Sequence, residues 1–234
     1  MLDRGAVVIL TGAGISRESG LATFRDADGI WARVRIEDVA TPEAFARDPR
    51  RVQAFYNARR AALRDPALRP NAAHLALARL ERDYPGEVFL VTQNVDNLHE
   101  EAGSRAVLHM HGCLNEAACL RCGLVSPWLD DILPNSVCPA CGATALRPNV
   151  VWFGEMPFHM DAIETVLARC AVFAAIGTSG QVYPAAGFIN AVAGRAHTLE
   201  ITLEPSPVSP LFDQVRHGPA TVTVPEFVDE LLRG

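Results

Sequence analysis

Short apolar runs recur along the chain, and each is followed by a polar or glycine-rich segment. Runs of this length, rich in Val and Ile, are typical of strands. They occur at Ala6–Thr11, Val88–Thr92, Val107–Met110, Val172–Ile176 and Thr198–Leu203. Helical patterns lie between several of these runs, and this alternation predicts an α/β fold, a parallel sheet with helices on both faces.

Two helices are predicted by their start signals and spacing. The stretch from Asn71 to Tyr84 has apolar residues at a spacing near 3.6 and leads through Pro85-Gly86 into the next strand. A second helix begins at Asp48-Pro49, a capping residue followed by proline in the first turn, and continues through Leu63. This second helix interrupts the alternation of strands and helices.

The length and the interruptions predict one main unit with two insertions. At 234 residues and 49% hydrophobic, the chain can bury one substantial core. We expect a single unit over residues 1–234. Its sheet part would comprise about 1–25, 72–112 and 149–234, with a helical module at about 26–71 and a metal module at about 113–148.

The charge and the start of the sequence exclude some partners. A net charge of −6 argues against a generic nucleic-acid binder, which would show a basic stripe. The first residues do not show a leader pattern, and no apolar run approaches membrane-spanning length. We therefore expect a cytoplasmic protein with no specific nucleic acid and no membrane among its partners. The sequence leaves the oligomeric state open, and a monomer is favoured.

Four cysteines predict a metal site. Cys119-x-x-Cys122 and Cys138-x-x-Cys141 are separated by fifteen residues, which suits a closed tetrahedral zinc site of four thiolates. Without a secretory signal, disulfides are disfavoured. Redox pairs would each open a helix, whereas a glycine after each pair suits zinc-ribbon turns better. Cys170 lies in an apolar run and is expected to be an inert core residue.

A glycine turn follows the first strand and predicts a nucleotide site. The segment Gly12–Ser16 matches the start of the dinucleotide fingerprint G-x-G-x-x-G, and helix N–H groups at such a turn face phosphates. The third glycine is replaced by Arg17. An acid at the end of a following strand is also missing, since Asp26 and Asp28 fall in a loop-like stretch. A conventional dehydrogenase is therefore disfavoured.

Polar side chains cluster after two further strands. The segment Gln93–His99 follows the strand that ends at Thr92, and the next strand ends in His109-Met110-His111-Gly112. Ligands bind at the carboxyl ends of strands in open parallel sheets. Alternation places His109 and His111 on one face, and Gly112 leaves space beside the second imidazole. His111 is therefore a candidate base, although a lone histidine is more often structural.

Several motifs together carry a family resemblance. In chain order they are Gly12-Ala13-Gly14-Ile15-Ser16, Thr23-Phe24-Arg25, Thr92-Gln93-Asn94-Val95-Asp96, His111-Gly112, the four cysteines, the run Arg147–Glu155, and Gly177-Thr178-Ser179. This set resembles the sirtuin family of NAD-dependent protein lysine deacylases over nearly the whole chain. The resemblance implies a Rossmann-type parallel sheet and a small domain made of a zinc-ribbon module and a helical module, with the active cleft between them.

The resemblance also assigns residues to NAD and to one structural zinc ion. NAD would be enclosed by Gly12, Ala13, Gly14, Ser16, Phe24 and Arg25, and its nicotinamide by Ile15, Asn94, Val95 and Asp96. Gln93 and Asn94 would orient the nicotinamide ribose. Phosphates and adenosine ribose would contact Gly177, Thr178 and Ser179, with Thr202, Leu203, Glu204 and Ala220 completing the site. The family usually carries Asn-x-Glu where this chain reads Thr202-Leu203-Glu204.

The implied reaction consumes NAD. The carbonyl oxygen of an acyl-lysine attacks the nicotinamide ribose, nicotinamide leaves, and the products are free lysine and O-acyl-ADP-ribose. The resemblance makes His111 and Asn94 the catalytic residues. His111 would be the general base on a ribose hydroxyl, a task that suits a group titrating near neutral pH.

The implied substrate is an acylated lysine in an extended peptide. Backbone pairing with residues 151–155 and 180–183 would add a strand at each segment, a mode that reads little sequence. The contacting residues would be Val151, Phe153, Gly154, Glu155 and Val182. On sequence alone, a simple core strand explains the apolar part of the first segment equally well.

A pair on the second helix bears on which acyl group is removed. Tyr56 and Arg59 are three residues apart and lie on one helix face. A phenol and a guanidinium together can bind a carboxylate. The pair, with Ala40 as a small pocket residue, resembles the family branch that removes malonyl and succinyl groups. The alternative is an amphipathic helix with a packed tyrosine and a solvated arginine.

Two other functions stay open from the sequence. One is a protein ADP-ribosyltransferase on the same scaffold, which would leave a modified protein. The other is a non-enzymatic adaptor that senses NAD and carries a zinc ribbon. The complete set Gln93, Asn94, Asp96 and His111 favours the enzyme.

Overall fold

The computed structural model describes residues 5–22 and 34–233. In this part of the chain nine strands form two sheets. In chain order they are β1 Ala6–Thr11, β2 Val88–Thr92, β3 Val107–His109, β4 Gly112–Cys119, β5 Val125–Pro127, β6 Leu146–Val150, β7 Cys170–Ile176, β8 His197–Thr202 and β9 Gln214–His217.

Six strands form a parallel sheet whose order positions the site. The order is β3-β2-β1-β7-β8-β9, and every neighbouring pair is parallel. From β1 the chain adds β2 and β3 on one side of the sheet, and it later adds β7, β8 and β9 on the other side. The order in which strands are added therefore reverses between β1 and β7. Such a switch point creates a crevice at the carboxyl ends of the strands.

Nine helices accompany the strands within the described ranges. They are α1 Gly14–Arg17, α2 Ile36–Val39, α3 Pro42–Arg47, α4 Pro49–Leu63, α5 Ala72–Asp83, α6 Leu98–Glu101, α7 Met160–Ala168, α8 Phe188–Val192 and α9 Ala220–Arg233. Two further 3₁₀ turns lie at Ala185–Gly187 and Ser209–Leu211.

The helices cover both faces of the parallel sheet. On one face α5 and α9 pack against strand residues such as Val7 and Ile9 through Leu77, Leu80 and Phe227. On the other face α7 and α8 pack against the alternate strand residues, such as Val8 and Leu10. The strands are therefore buried on both sides, which explains their almost continuous apolar sequences.

The predicted fold is confirmed. The strands β1 and β2 have the predicted bounds, while the run predicted at 107–110 ends at His109 and the run at 198–203 is shifted by one residue. Both predicted helices form, as α4 and α5. The Asp48 carboxylate accepts from the Arg51 N–H at 3.1 Å, which caps the N-terminus of α4 as the sequence predicts.

The small part of the molecule contains an antiparallel sheet in the order β5-β4-β6. It packs around Cys119, Cys138, Ile132 and Leu146. Strands β4 and β6 cross the proposed edges of the metal module by one and two residues. The proposed module boundaries stay a prediction.

The structure explains the glycine at position 112 differently from the sequence analysis. Its φ is 82°, and an added Cβ would lie 2.1 Å from the Asn149 carbonyl oxygen and 2.8 Å from the Val150 Cα. The glycine therefore allows β6 to approach β4, and the space beside His111 is not what requires it.

In the part of the chain that the structure describes, none of the helices combines the length and apolar character needed to cross a membrane.

Candidate active site

A cleft of about 890 Å³ lies at the switch point of the parallel sheet. Its lining combines residues that follow β1, β2, β7 and β8 with residues of α4 and of the segment after β6. Most of the predicted site residues line it: Gly12, Ala13, Gly14, Ala40, Tyr56, Arg59, Gln93, Asn94, Val95, His111, Val151, Phe153, Gly154, Glu155, Gly177, Thr178, Ser179, Val182, Thr202, Leu203, Glu204 and Ala220.

Five predicted residues are not placed in the lining. Ile15, Ser16 and Asp96 are buried behind the cleft surface. Phe24 and Arg25 lie outside the described residues. The predictions for these two therefore stay predictions.

The glycine turn crosses the loop after β7 at very short distance. A Cβ on Gly12 would lie 2.8 Å from the Gly177 carbonyl oxygen, and one on Gly14 would lie 2.7 Å from the Gly177 Cα. Gly177 itself has φ +61°, and a Cβ added to it would lie 2.5 Å from the Ile15 amide nitrogen. These glycines bring the loop after β1 and the loop after β7 together across the switch point.

The first amides of α1 are partly used inside the protein. Gly14 N–H donates to the Gly177 carbonyl at 2.9 Å, and Ile15 and Ser16 N–H donate to Gly12 and Ala13 carbonyls at 3.1 and 3.2 Å. The helix has only four residues. Its N-terminus thus offers fewer free donors to a phosphate than the fingerprint predicts, because the tight turn and the loop crossing already take them.

The Ser16 hydroxyl joins three polar side chains beneath the cleft. It donates to Asp96 Oδ2 at 3.1 Å and accepts from Asn94 Nδ2 at 3.2 Å. His74 Nδ1 accepts from the Asn71 N–H at 3.3 Å, so Nε2 carries the proton that faces Ser16 at 3.4 Å. The donors and acceptors of this hydroxyl are therefore already assigned before any ligand binds.

Burial sets the protonation of this group. It lowers the pKa of His74 to about 4. It also raises the pKa of the Asp96 carboxyl, although hydrogen bonds from Leu98 N–H and Ser16 oppose this. In addition, Asn94 Nδ2 donates to the Gly12 carbonyl at 3.2 Å, which ties the polar segment after β2 to the glycine turn.

His111 lies in the cleft with one ring nitrogen fixed. Its Nδ1 is 3.1 Å from the Gln93 carbonyl oxygen, an acceptor only, so Nδ1 must carry the proton and Nε2 the lone pair. Burial lowers the pKa of His111, while the Gln93 carbonyl opposes this in part. The side chain is therefore neutral at pH 7 and can accept a proton at Nε2.

His109 makes a different pair of contacts. Its Nδ1 is 3.0 Å from the Asn94 carbonyl oxygen and its Nε2 is 2.7 Å from Glu100 Oε1. Burial opposes protonation, but the contacts with Glu100 and Asn94 raise the pKa of this imidazole overall. The two histidines thus contact successive carbonyls of one segment, and His109 has no free nitrogen for the cleft.

The α4 end of the cleft, which the resemblance assigns to the acyl group and which is called the acyl end below, has two unusual side chains. Tyr56 is 8% exposed, and burial raises its pKa to about 12 against a smaller opposing effect of the neighbouring Trp152 indole. Burial lowers the pKa of Arg59 to about 10. Its guanidinium donates to the Phe55 carbonyl at 2.9 Å and stacks 3.3 Å over the Phe55 ring.

Arg59 is not paired with an anion. Among the residues that the structure describes, no carboxylate lies within salt-bridge distance of Arg59, and its buried Nε has no hydrogen-bond partner. The buried Nε1 of Trp152 also has none, although Trp152 packs 6.4 Å from the Tyr56 ring. Buried donors without acceptors are costly, and they are typical of a site that binds an acceptor.

A residue whose role the sequence did not indicate stabilises this wall. Arg147 contacts both oxygens of Glu155, at 2.6 and 3.0 Å, and stacks 3.4 Å over the Trp152 ring. Glu155 Oε2 also accepts from the Trp152 N–H at 2.8 Å. No sequence spacing signals such a contact, because the residues lie on a strand and a following turn.

Some other residues that line the cleft were not predicted, among them Glu18 and Arg17. Glu18 lines the cleft and its carboxylate accepts from the N–H and the hydroxyl of Thr221, at the start of α9. Arg17 also lines it. Both directly follow the glycine turn, and this position is the only sequence signal that could have found them.

The four predicted cysteines come together in the small part of the molecule. The sulfur atoms of Cys119, Cys122, Cys138 and Cys141 all lie within 4.8 Å of one another. Two of the Sγ···Sγ distances are 3.7 and 3.6 Å. Tetrahedral zinc with bonds of about 2.3 Å places its sulfurs about 3.8 Å apart. The cluster therefore fits a structural zinc ion.

Comparisons with known proteins agree with this site. The Sir2 family pattern matches residues 12–184. An NAD-dependent protein deacylase of Salmonella typhimurium (strain LT2) is 55% identical over 236 residues, which cover all of this chain and 86% of the relative. Another from Bdellovibrio bacteriovorus is 56% identical over 227 residues, covering 97% of this chain and 96% of the relative. The chain belongs to the Sir2 family.

Solved structures agree as well. A Sir2 homologue in complex with NAD is 40% identical, with a TM-score of 0.88, and the match covers 98% of this chain and 91% of that one. A Sir2 protein bound to a myristoylated histone peptide is 31% identical, with a TM-score of 0.74, and the match covers 99% and 93%.

Proposed function

We propose that this protein removes acidic acyl groups, succinyl and malonyl, from lysine side chains of proteins, and acetyl groups as well. The chain is an enzyme of the Sir2 family, an NAD-dependent protein deacylase, as its 55% identity to curated deacylases over its full length indicates. NAD is its co-substrate, and its cysteine cluster fits a structural zinc ion.

The roles of individual cleft residues are part of the proposal. NAD supplies an electrophilic ribose carbon when it is bound. His111 is the general base, since it is neutral and has its Nε2 lone pair available. The side-chain amide of Asn94 lies in the cleft, and its Nδ2 donates to Gly12 and Ser16. Its side-chain oxygen Oδ1 is therefore left to accept from a ribose hydroxyl. Gln93 would orient the same ribose.

Asp96 can bind a carboxamide without losing its present contacts. Its oxygens accept from Ser16 and from the Leu98 N–H. Each carboxylate oxygen can accept a second hydrogen bond. The proposed nicotinamide contact therefore uses the remaining lone pairs and leaves the existing bonds in place.

The observation that carries the acidic preference is Arg59 beside Tyr56, since Arg59 has no carboxylate partner and its buried Nε has no acceptor among the described residues. A guanidinium that is partly buried in a cleft gains most from an anion that enters with its acyl chain, because the cost of desolvating Arg59 has already been met on folding. An acetyl group offers nothing to this pair. The small Ala40, which is buried next to the same wall, leaves room for the longer chain.

The substrate lysine would arrive on an extended peptide. Segments 151–155 and 180–183 both line the cleft, and neither forms a strand with another part of the described chain. In 151–155 the N–H groups of Val151, Trp152, Phe153 and Glu155 already donate inside the protein, so a peptide would pair there mainly with carbonyl groups. Such backbone pairing reads little sequence and supports a broad range of protein substrates. The free thiols of the metal cluster suit a reducing compartment, so we retain the cytoplasm, and also the monomer, as predictions.

A panel of acyl-lysine peptides tests this function. Peptides that differ only in the acetyl, malonyl, succinyl or glutaryl group are incubated with and without NAD, and the products are read by mass spectrometry. We expect NAD-dependent release of the acidic groups with matching O-acyl-ADP-ribose. Protein that gains the mass of ADP-ribose without loss of the acyl group would identify an ADP-ribosyltransferase. Removal of acetyl groups alone would contradict the acidic preference.

A further inference from the structure

Helix α4 has two neighbouring stripes with different contacts. Tyr56 and Arg59 form the stripe that lines the cleft. The residues that directly follow each of them, Asn57 and Arg60, belong to the next stripe together with Gln53. This second stripe is buried and contacts the backbone of the zinc module, defined here as the region around Cys119–Cys141 with strands β4 to β6.

Asn57 makes the most specific of these contacts. Its Nδ2 donates to the Ile132 carbonyl at 3.0 Å, and its Oδ1 accepts from the Ile132 N–H at 2.9 Å. One residue of the zinc module is therefore bound through both of its backbone groups. At the other end of the stripe, Gln53 Nε2 donates to the Leu146 carbonyl at 3.2 Å.

The two residues that α4 binds are packed on zinc ligands. Ile132 and Leu146 share one hydrophobic cluster with Cys119 and Cys138. The position of α4 is therefore set by the same packed unit that carries the thiolates, and the distance from helix to metal site is spanned by one layer of side chains.

Arg60 connects this contact to the cofactor side of the cleft. It is fully buried, its Nη1 donates to Asn57 Oδ1 at 2.8 Å, and its Nε donates to the Leu114 carbonyl at 2.6 Å. The Leu114 N–H donates in turn to the Val95 carbonyl at 2.9 Å. One guanidinium thus links α4 and β4, and β4 bonds directly to the segment proposed to bind nicotinamide.

We infer that Asn57, Gln53 and Arg60 are positioning residues for acyl selectivity: they fix α4 to the zinc module and so place Tyr56 and Arg59 for the acyl carboxylate. This inference rests on the proposed function. A carboxylate bound by two side chains of one helix depends on the position of that helix, because charge-assisted hydrogen bonds need accurate geometry. Removal of an acetyl group needs neither side chain, so weakening of the contact changes the ratio of the two activities.

The test compares two substitutions on α4 that both weaken the helix. Asn57→Ala removes the three hydrogen bonds of the second stripe's centre. Ala58→Gly is the matched control, since Ala58 is exposed and glycine destabilises an exposed helix interior without touching either stripe. The desuccinylation and deacetylation kcat/KM values are measured for both variants, with Arg59→Met as the reference for loss of the carboxylate contact.

We expect Asn57→Ala to lower the ratio of desuccinylation to deacetylation by roughly tenfold, and Ala58→Gly to leave it unchanged. Zinc release to a chromophoric chelator gives a readout independent of catalysis. It should be several times faster in Asn57→Ala than in wild type or Ala58→Gly, because Ile132 loses both backbone partners.

The outcomes separate this inference from the proposed function. If Arg59→Met does not change the ratio, the acidic preference itself fails. If Arg59→Met lowers the ratio and Asn57→Ala does not, or lowers both activities equally, the positioning role is wrong. Should Asn57→Ala fail to fold, Gln53→Leu removes one bond at the edge of the same contact, and an unchanged ratio in that variant overturns the inference.

Discussion

The cofactor end and the acyl end of the cleft differ in how their polar groups are satisfied. At the cofactor end Ser16, Asn94, Asp96 and His74 bond to one another or to the glycine turn. At the acyl end the buried donors of Arg59 and Trp152 have no acceptor among the described residues.

In the proposed function, the cofactor end positions the reacting groups, and the acyl end separately selects the substrate. A polar network that is complete before binding keeps reacting groups in place at no further ordering cost. Donors that lack partners gain most when the ligand brings an acceptor, so they discriminate strongly between ligands with and without one.

The largest effect is expected from the catalytic base at the complete end. His111→Ala should lower kcat/KM by about 1,000-fold for every acyl group, because general-base catalysis contributes on this order. The measurement is steady-state kinetics with acetyl and succinyl peptides, with NAD binding followed by calorimetry as the control for folding. Activity near wild type, or a loss confined to one acyl group, would remove His111 from this role.

The second effect should be confined to the incomplete end. Tyr56→Phe combined with Arg59→Met should lower desuccinylation by roughly 100-fold and leave deacetylation within a few fold, since only the acidic tail needs charge-assisted hydrogen bonds. Arg50→Met is the matched control, an exposed arginine on the same helix. Equal loss of both activities in the double variant would show that the acyl end does not act on the acidic groups alone.

A third effect concerns stability, and it comes from the complete end. His74 has a pKa of about 4 in the folded protein, below the unfolded value of about 6.5, because burial disfavours its charge. Above pH 6.5 the contribution of neutral His74 to the free energy of unfolding is fully present. As pH falls from 6.5 towards 4 the unfolded chain binds the extra proton, so stability falls, by about 2 kcal/mol at pH 5.

Urea unfolding at pH 7 and pH 5 measures this loss. The pH dependence should be smaller in His74→Gln, and it should be unchanged in His197→Gln, a histidine whose side chain is 58% exposed. An identical pH dependence in His74→Gln and wild type would show that the buried imidazole does not set it.

The smallest effect sharpens the role of His111. Because burial lowers its pKa, the acid limb of kcat/KM for an acetyl peptide should have its midpoint below 6.5, with activity falling about tenfold per pH unit under that midpoint. Rates measured from pH 5 to 8 show this directly. A midpoint above 6.5 would mean that a group other than a buried neutral imidazole limits the rate.

The features that could be read from the sequence are local in the chain. The strands β1 and β2 are continuous apolar runs, α4 starts at a capping aspartate before proline, and the cysteine pairs have regular spacing. Each of these depends on residues that are close together in the chain. The Sir2 motifs also predicted which loops meet at the cleft.

The features that could not be read depend on long-range packing. Ser16 meets His74 and Asp96 from 58 and 80 residues away. Arg147 is close to Trp152 in the chain, but their stacking depends on the turn after β6, which no residue spacing signals. Strand β9 is short and polar because it lies at the sheet edge, so it has no apolar run. The burial of the second stripe of α4 depends on the zinc module, so the sequence of the helix alone does not indicate it.

The shared Ser16 hydroxyl has a consequence for how this protein can diversify. Replacement of Ser16 by alanine alone would leave Asn94, Asp96 and His74 each short of one partner, so substitutions here survive only if several arrive together. Tyr56 and Arg59 bond to nothing that the cofactor end needs, and each can change singly. Under the proposed function, a single mutation at Tyr56 or Arg59 can therefore change the acyl preference while the NAD chemistry stays the same.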